Sequence, residues 1–261
     1  MTENWIITLI LLLCCIAAYK AHSLTVTGAA AAFVVGLAIY LGFSINGLIL
    51  LGTFFISSSI CSKYKSSKKA ILEEKLAKGA IRDWRQVFAN GGTAALIGLI
   101  HCYDVSSLWI LPFAVALASA NSDTWASEIG SLSRKDPIDI RTFTRIDRGT
   151  SGAISLLGSV AALAGSLLIA VFSFGLFHLD LGSLFIIFIF GFLGNIIDTV
   201  FGAFYQQKYR CSNCAIVTER KVHCQRPTIR IKGFTFVDND MVNFLSGFIA
   251  VLLSLAVILL K

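Results

Sequence analysis

Long apolar stretches broken by short polar clusters run along the whole chain, at a spacing that suits membrane-crossing helices. A spanning helix needs about 20 mostly apolar residues, within a range of about 17–25. The pattern predicts eight such segments, at 3–19, 24–43, 46–62, 87–102, 106–122, 151–172, 182–205 and 241–260. The fold class expected is therefore all-α: a polytopic transmembrane helix bundle of about eight spans, residues 1–261 forming one integral-membrane domain. The start lacks a basic region and a small-residue cleavage site, so it reads as a first span rather than a cleaved leader.

Two polar segments are long enough to have structure of their own. Residues 63–85 place Ile71, Leu72, Leu76, Ala80 and Trp84 at helical spacing, with Glu74 and Lys78 as an i,i+4 pair. This predicts a cytosolic amphipathic helix on the inner leaflet, or a solvated linker helix. Residues 206–238 read as a short cytosolic insertion with two β-like runs, Thr228–Ile231 and Phe234–Val237.

Composition agrees with the pattern, at 56% hydrophobic and 14% charged residues and a mean hydropathy of +0.77. Lys and Arg favour cytoplasmic loops. Eight spans with both termini outside put 21 of the 22 basic residues on the inner side, leaving Lys261 outside. The net charge of +7 is thus a topology signal first, and nothing in it favours nucleic acid as a partner; membrane lipids are the expected surroundings.

The same topology brings the polar motifs together. Asp123 and Glu128, at the end of the fifth span, and Asn195 and Asp198 in the seventh lie toward the cytosolic end. Gly149, Thr150, Ser151 and Gly152 before the sixth span, and Asp238, Asn239 and Asn243 at the start of the eighth, begin on that side. Ionisable groups in such helices are costly unless paired, hydrated or bound to a cation. If the fifth helix continues past the interface, Asp123, Ala126 and Gly130 share one face, and Asn121 and Glu128 an adjoining one.

Gathered carboxylates beside phosphate suit Mg²⁺, a hard cation. The bland alternative is that Asp123 pairs with Arg148 or Arg145. Gly149–Gly152, with Arg148, could hold an anion at a helix N-terminus, or could be an ordinary cap. Asn195 could serve helix–helix hydrogen bonding, and Asp238 could cap the last span. Cys211 and Cys214, followed by His223 and Cys224, resemble half of a zinc knuckle and could hold structural Zn²⁺; reduced free thiols or a redox pair are the alternatives. Cys14, Cys15, Cys61 and Cys102 read as packing residues.

Together, Asp123-Thr-Trp-Ala-Ser-Glu-Ile-Gly130, Gly149-Thr-Ser-Gly152, Gly194-Asn195…Asp198 and Asp238-Asn-Asp…Asn243 resemble the membrane family known as domain of unknown function 92. That family includes transmembrane protein 19 and the plant phytyl-phosphate kinase of tocopherol synthesis. The resemblance covers nearly the whole chain. More distantly, Asp123-x-x-Ala126-x-x-x-Gly130 is similar to a motif of CTP-dependent polyprenol kinases and phosphatidate cytidylyltransferases, which makes CTP a candidate donor.

The resemblance implies Mg²⁺-dependent phosphoryl transfer from a nucleoside triphosphate to a prenyl monophosphate. Asp123 carries over as metal ligand, with Glu128 and Asp198 as further acids. In this reading Asp123 and Asp198 hold Mg²⁺, while Asn121, Ser122, Arg148, Gly149–Gly152, Asn195, Asp238, Asn239 and Asn243 bind phosphate or nucleotide. A lipid-phosphate cytidylyltransferase is the rival within enzymes. A transporter is the rival of another class, although its site would be expected near the bilayer midplane between repeats, and no repeat is visible here.

Overall fold

Ser, Thr and Asp punctuate the apolar runs and set where helices begin. The computed structural model describes residues 2–64, 77 and 79–260, among which seven helices account for most of the chain. They are α1 (Thr2–Lys20), α2 (Val26–Lys63), α3 (Trp84–Tyr103), α4 (Ile110–Gly130), α5 (Leu156–Leu176), α6 (Leu181–Phe204) and α7 (Asn239–Leu259). Thr25, Ser155, Asp180 and Asp238 each accept a first-turn N–H through a side-chain oxygen, satisfying a donor the helix leaves over. Asp83 and Gln86 close a reciprocal capping box on α3.

Helix α4 is the hub. Its positions from Pro112 to Ser122 are all buried, and α2, α3, α5, α6 and α7 pack around it. The contacts use small residues: Gly191 of α6 lies against Ala118 and Ser166, and Gly194 against Ser119. Backbones can approach closely only where side chains are this short. At the end near Tyr103, Phe43, His101 and Phe113 stack at 4.6 and 4.1 Å between ring centres.

Outward faces carry apolar side chains that no protein surface covers, among them Phe185, Ile189, Leu167 and Leu252, each 43–57% exposed except as lipid would cover them. Rows of such residues on every outer helix suit a hydrocarbon solvent and not water. The protein is an integral membrane helix bundle.

Four of the described helices, α2, α5, α6 and α7, are long and apolar enough to cross a membrane, and the apolar part of α1 is a shorter stretch, Trp5–Lys20. By that measure the described residues give four spans, not the expected eight. Helices α3 and α4 fall short in apolar content because each carries several polar residues, Arg85, Gln86, Asn90 and His101 in α3 and Asn121, Ser122, Asp123 and Glu128 in α4. The expected second and third spans are joined in α2, which breaks at Ser44 (φ 53°, ψ −148°). A straight 38-residue helix would be about 57 Å long. Yet both ends of α2 meet Arg82: its carbonyl accepts from Thr25 N (3.0 Å), and its guanidinium donates to Ser59 Oγ (3.0 Å). Lys63 Nζ also donates to Ala21 O (2.8 Å). The two arms of α2 therefore run antiparallel.

The amphipathic helix expected over 63–85 falls for its greater part outside the described residues. The insertion folds as a small sheet in the order β4–β3–β7, from β3 (Lys208–Arg210), β4 (Val217–Thr218) and β7 (Ile229–Lys232). A hairpin of β5 (Val222–His223) and β6 (Arg226–Pro227) lies beside it in sequence. The strand expected at 228–231 is present as β7, whereas 234–237 is irregular. Between α4 and α5, β1 (Ile138–Asp139) pairs with β2 (Ala153–Ile154).

Candidate active site

Helix α4 does continue, to Gly130, and its last two turns form one wall of a cavity of about 330 Å³ at one end of the bundle. Asp123, Ala126, Glu128 and Gly130 line it, as do Asn195 and Asp198 of α6 and Asp238, Asn239 and Asn243 of α7. The loop 149–152 and the first turn of α5 close the opposite side. Motifs more than 100 residues apart thus share one space.

The acids at its floor are oriented by neighbours. Asn195 Nδ2 donates to Asp123 Oδ1 (3.1 Å). Ser246 Oγ donates to Asp198 Oδ2 (3.3 Å), and the Asn243 amide, turned to satisfy both of its partners, donates to the same oxygen (3.0 Å). The carboxyl groups of Asp123 and Asp198 stand close enough to share a hydrogen bond. Two carboxylates this close repel when both are charged, and a proton or a cation between them removes the repulsion. Carboxylate oxygens held by amides and hydroxyls are the donor set that Mg²⁺ takes.

A third acid joins them from an unexpected place. Glu219, just after β4, lines the cavity; it accepts hydrogen bonds from the Ser151 hydroxyl and from Gln206 Nε2 (2.8 Å). Burial pushes its carboxyl above the usual range, against the opposing effect of Ser151 and the Lys208 charge. Lys208 is itself buried, which lowers its ammonium below the ordinary value, and its Nζ donates to Ser151 O (2.6 Å).

Cationic and N–H donors face the acids. Arg82 lines the cavity; burial lowers its pKa, and the Glu128 charge acts the other way. Arg148 also lines it, but the ion pair it makes is with Asp136 (3.4 Å), not with Asp123, and it donates to Arg134 O (2.9 Å). Gly149 and Gly152 adopt φ of 75° and 80°, so the segment is a left-handed turn and not the opening of the helix, which begins at Leu156 behind the cap Ser155. A Cβ on Gly152 would strike the Ala203 backbone, so only glycine seats this turn against α6. The α5 N-terminus still points at the cavity through Ser155, Gly158 and Ser159.

Two expected site residues lie elsewhere. Asn121 is fully buried; it donates to Gly165 O (2.8 Å) and accepts from Ser57 and Ser58. Ser122 donates to Ala162 O (2.9 Å). Their polar atoms join helices, because they lie deeper along α4, where α2 and α5 pack against it. Asp238 lines the cavity and also caps α7, accepting from Met241 N (3.0 Å), with Arg85 at 3.6 Å. Glu219, Arg82 and Asp240 were not expected there. Glu219 follows a two-residue strand with no periodicity around it, and Arg82 reads in sequence only as one more inner-side cation.

Away from the cavity, Cys211, Cys214, His223 and Cys224 come together, one ligand atom from each lying within 4.8 Å of the others. Hydrogen bonds from backbone N–H groups of residues 213 and 214 lower the Cys211 thiol to about 6.

Seen against known proteins, the sequence has relatives. The chain matches the family described as integral membrane protein DUF92 over residues 9–251, and it belongs to that family. It is 32% identical over 256 residues to Protein PGR of Arabidopsis thaliana, covering 87% of this chain and 86% of that one. An uncharacterized membrane protein of Methanocaldococcus jannaschii is 33% identical over 162 residues, 62% of this chain and 66% of its own. Protein VTE6, chloroplastic, also of Arabidopsis thaliana, is 25% identical over 228 residues, 85% of this chain and 62% of its own. No solved structure matches the chain significantly.

Proposed function

We propose that the protein is a membrane-embedded, Mg²⁺-dependent kinase that transfers the γ-phosphoryl group of a nucleoside triphosphate to a prenyl monophosphate. The observation that carries this reading is the convergence of Asp123, Asp198 and Glu219 on one cavity facing Arg82, Arg148 and the 149–152 turn. Membership of the family and similarity to the chloroplastic VTE6 protein support a prenyl-lipid substrate, through the resemblance to phytyl-phosphate kinase.

In the reaction a phosphate oxygen of the prenyl monophosphate bonds to the γ-phosphorus. The bond from that phosphorus to the β–γ bridging oxygen breaks, leaving a prenyl diphosphate and a nucleoside diphosphate. The acceptor is already anionic, so no general base is needed, and catalysis is positioning and charge neutralisation. Asp123 and Asp198 would hold Mg²⁺, with Glu128 and Glu219 nearby; the metal, when bound, neutralises charge on the triphosphate. Arg82, Arg148 and the N–H groups of Gly149–Gly152 bind phosphate oxygens. Asn195, Asn243 and Ser246 keep the acids oriented, and Asp238 and Asn239 close the rim. The prenyl chain lies between apolar helix faces.

The cavity faces the cytosol in this reading, with both termini outside. The antiparallel arms of α2 bring both of its ends to Arg82, which lines the cavity.

The test incubates the purified protein with Mg²⁺, each nucleoside triphosphate and a panel of prenyl monophosphates, and identifies products by mass. The expected products are a prenyl diphosphate and a nucleoside diphosphate. Pyrophosphate and a nucleotidyl lipid would show a cytidylyltransferase instead, and no turnover of any pair would overturn the enzymatic reading.

A further inference from the structure

The kinase chemistry leaves the cysteine cluster unused, since none of its four residues lines the cavity. Its geometry is nonetheless specific. Tetrahedral zinc with Zn–S near 2.3 Å and Zn–N near 2.0–2.1 Å places ligand sulfurs about 3.8 Å apart and sulfur and nitrogen about 3.5 Å apart. Cys214 Sγ and Cys224 Sγ are 3.9 Å apart. His223 Nδ1 is 3.5 Å from Cys214 Sγ and 3.3 Å from Cys224 Sγ. A disulfide would need about 2.05 Å.

The backbone is shaped to the same end. Asn213 N donates to Cys211 Sγ (3.4 Å), and Ala215 N to Cys211 O (3.0 Å), which curls residues 211–215 around one sulfur. Ala215, Cys224 and Gln225 adopt φ of 60°, 51° and 59°. Left-handed conformations in non-glycine residues persist where surrounding structure enforces them, and here they fall at Cys224 and directly after Cys214 and Cys224. Four protein ligands leave no open position, so the site is structural and not catalytic.

Between the two ligand pairs the chain runs through β4 to Glu219. Only Glu219 to Val222 separate that strand from the second pair, and the sheet partners of β4 are Tyr209 and Arg210 beside Cys211. We propose that Cys211, Cys214, His223 and Cys224 bind one zinc ion whose closure of this loop holds Glu219 at the cavity wall. Three thiolates and a neutral imidazole on Zn²⁺ leave a site of net charge −1. The part of the proposal concerning Glu219 in catalysis rests on the function proposed above; the zinc site does not.

Protein purified without chelator should contain about one zinc per chain by elemental analysis, and replacement with Co²⁺ should give the absorption of tetrahedral thiolate coordination. Cys211→Ser/Cys214→Ser should lose the metal. His223→Cys should keep it, because a fourth thiolate replaces the imidazole, with an altered cobalt spectrum. Glu219→Gln should keep its zinc and lose turnover. Removing zinc should quicken amide exchange over residues 217–221 by at least about tenfold, with the helices unchanged. Zinc-free protein with free thiols, or zinc that survives Cys211→Ser/Cys214→Ser, would overturn the site. A bound zinc whose removal leaves exchange at 217–221 unaltered would overturn its hold on Glu219. If zinc and exchange behave as stated while no prenyl phosphate is turned over by the parent, the kinase reading fails and the site stands.

Discussion

Asp123 and Asn121 are two residues apart on one helix and do different work. Asp123 opens onto the cavity, while Asn121 ties α2 to α5 through Ser57, Ser58 and Gly165. Asp123→Asn or Asp198→Asn should lower turnover by at least about 10²-fold, the loss expected when a principal electrostatic group is removed, with thermal unfolding in detergent nearly unchanged. Asn121→Ala should do the reverse. It leaves the buried Ser58 hydroxyl without its acceptor and cuts the tie to Ser57 and Gly165, at about 1–3 kcal/mol, and the protein that remains folded should turn over normally. A pH effect belongs to Glu219, whose carboxyl is raised in the fold from an ordinary 4.5. The folded state then binds more protons than the unfolded one, so its stability is highest below about 4.5 and falls as pH rises through the folded value. Without added Mg²⁺, the gap in melting temperature between Glu219→Gln and the parent should therefore widen in favour of the variant as pH rises.

At the scale of elements, two backbone positions decide how segments are placed. Ser44 turns α2 back on itself with dihedrals that glycine adopts freely and serine does not. Ser44→Gly should raise stability by about 1 kcal/mol, read by chemical unfolding in detergent; a continuous helix through this point would instead be weakened by glycine. Gly152→Ala meets both a positive φ and the Ala203 backbone. It should cost more than about 1 kcal/mol and displace Ser151, thereby freeing Glu219 and reducing turnover.

For the whole molecule, the cavity and the loops at Asp104 and Asp180 lie at opposite ends of the helices. In right-side-out vesicles an impermeant maleimide should label cysteines introduced at 104 and 180, above the labelling of the parent protein. A cysteine at 134 should react only after permeabilisation. Labelling of all three from one side would contradict the single pass that separates 134 from each of the other two.

The apolar period, the polar clusters and their order along the chain are sequence properties. They were sufficient to define a membrane helix bundle and to place Asp123, Asp198 and Asn243 at one end, because an apolar helix in lipid has one direction and a known rise. Periodicity carries no such information for the insertion, where short strands and turns are set by distant partners. Glu219 therefore became visible only once the sheet laid β4 beside β3 and Ser151 met its carboxylate. The removal of Asn121 and Ser122 from the cavity was likewise decided by tertiary packing. Which face of a helix meets protein, and which meets a cavity, depends on neighbours that one segment's sequence does not contain.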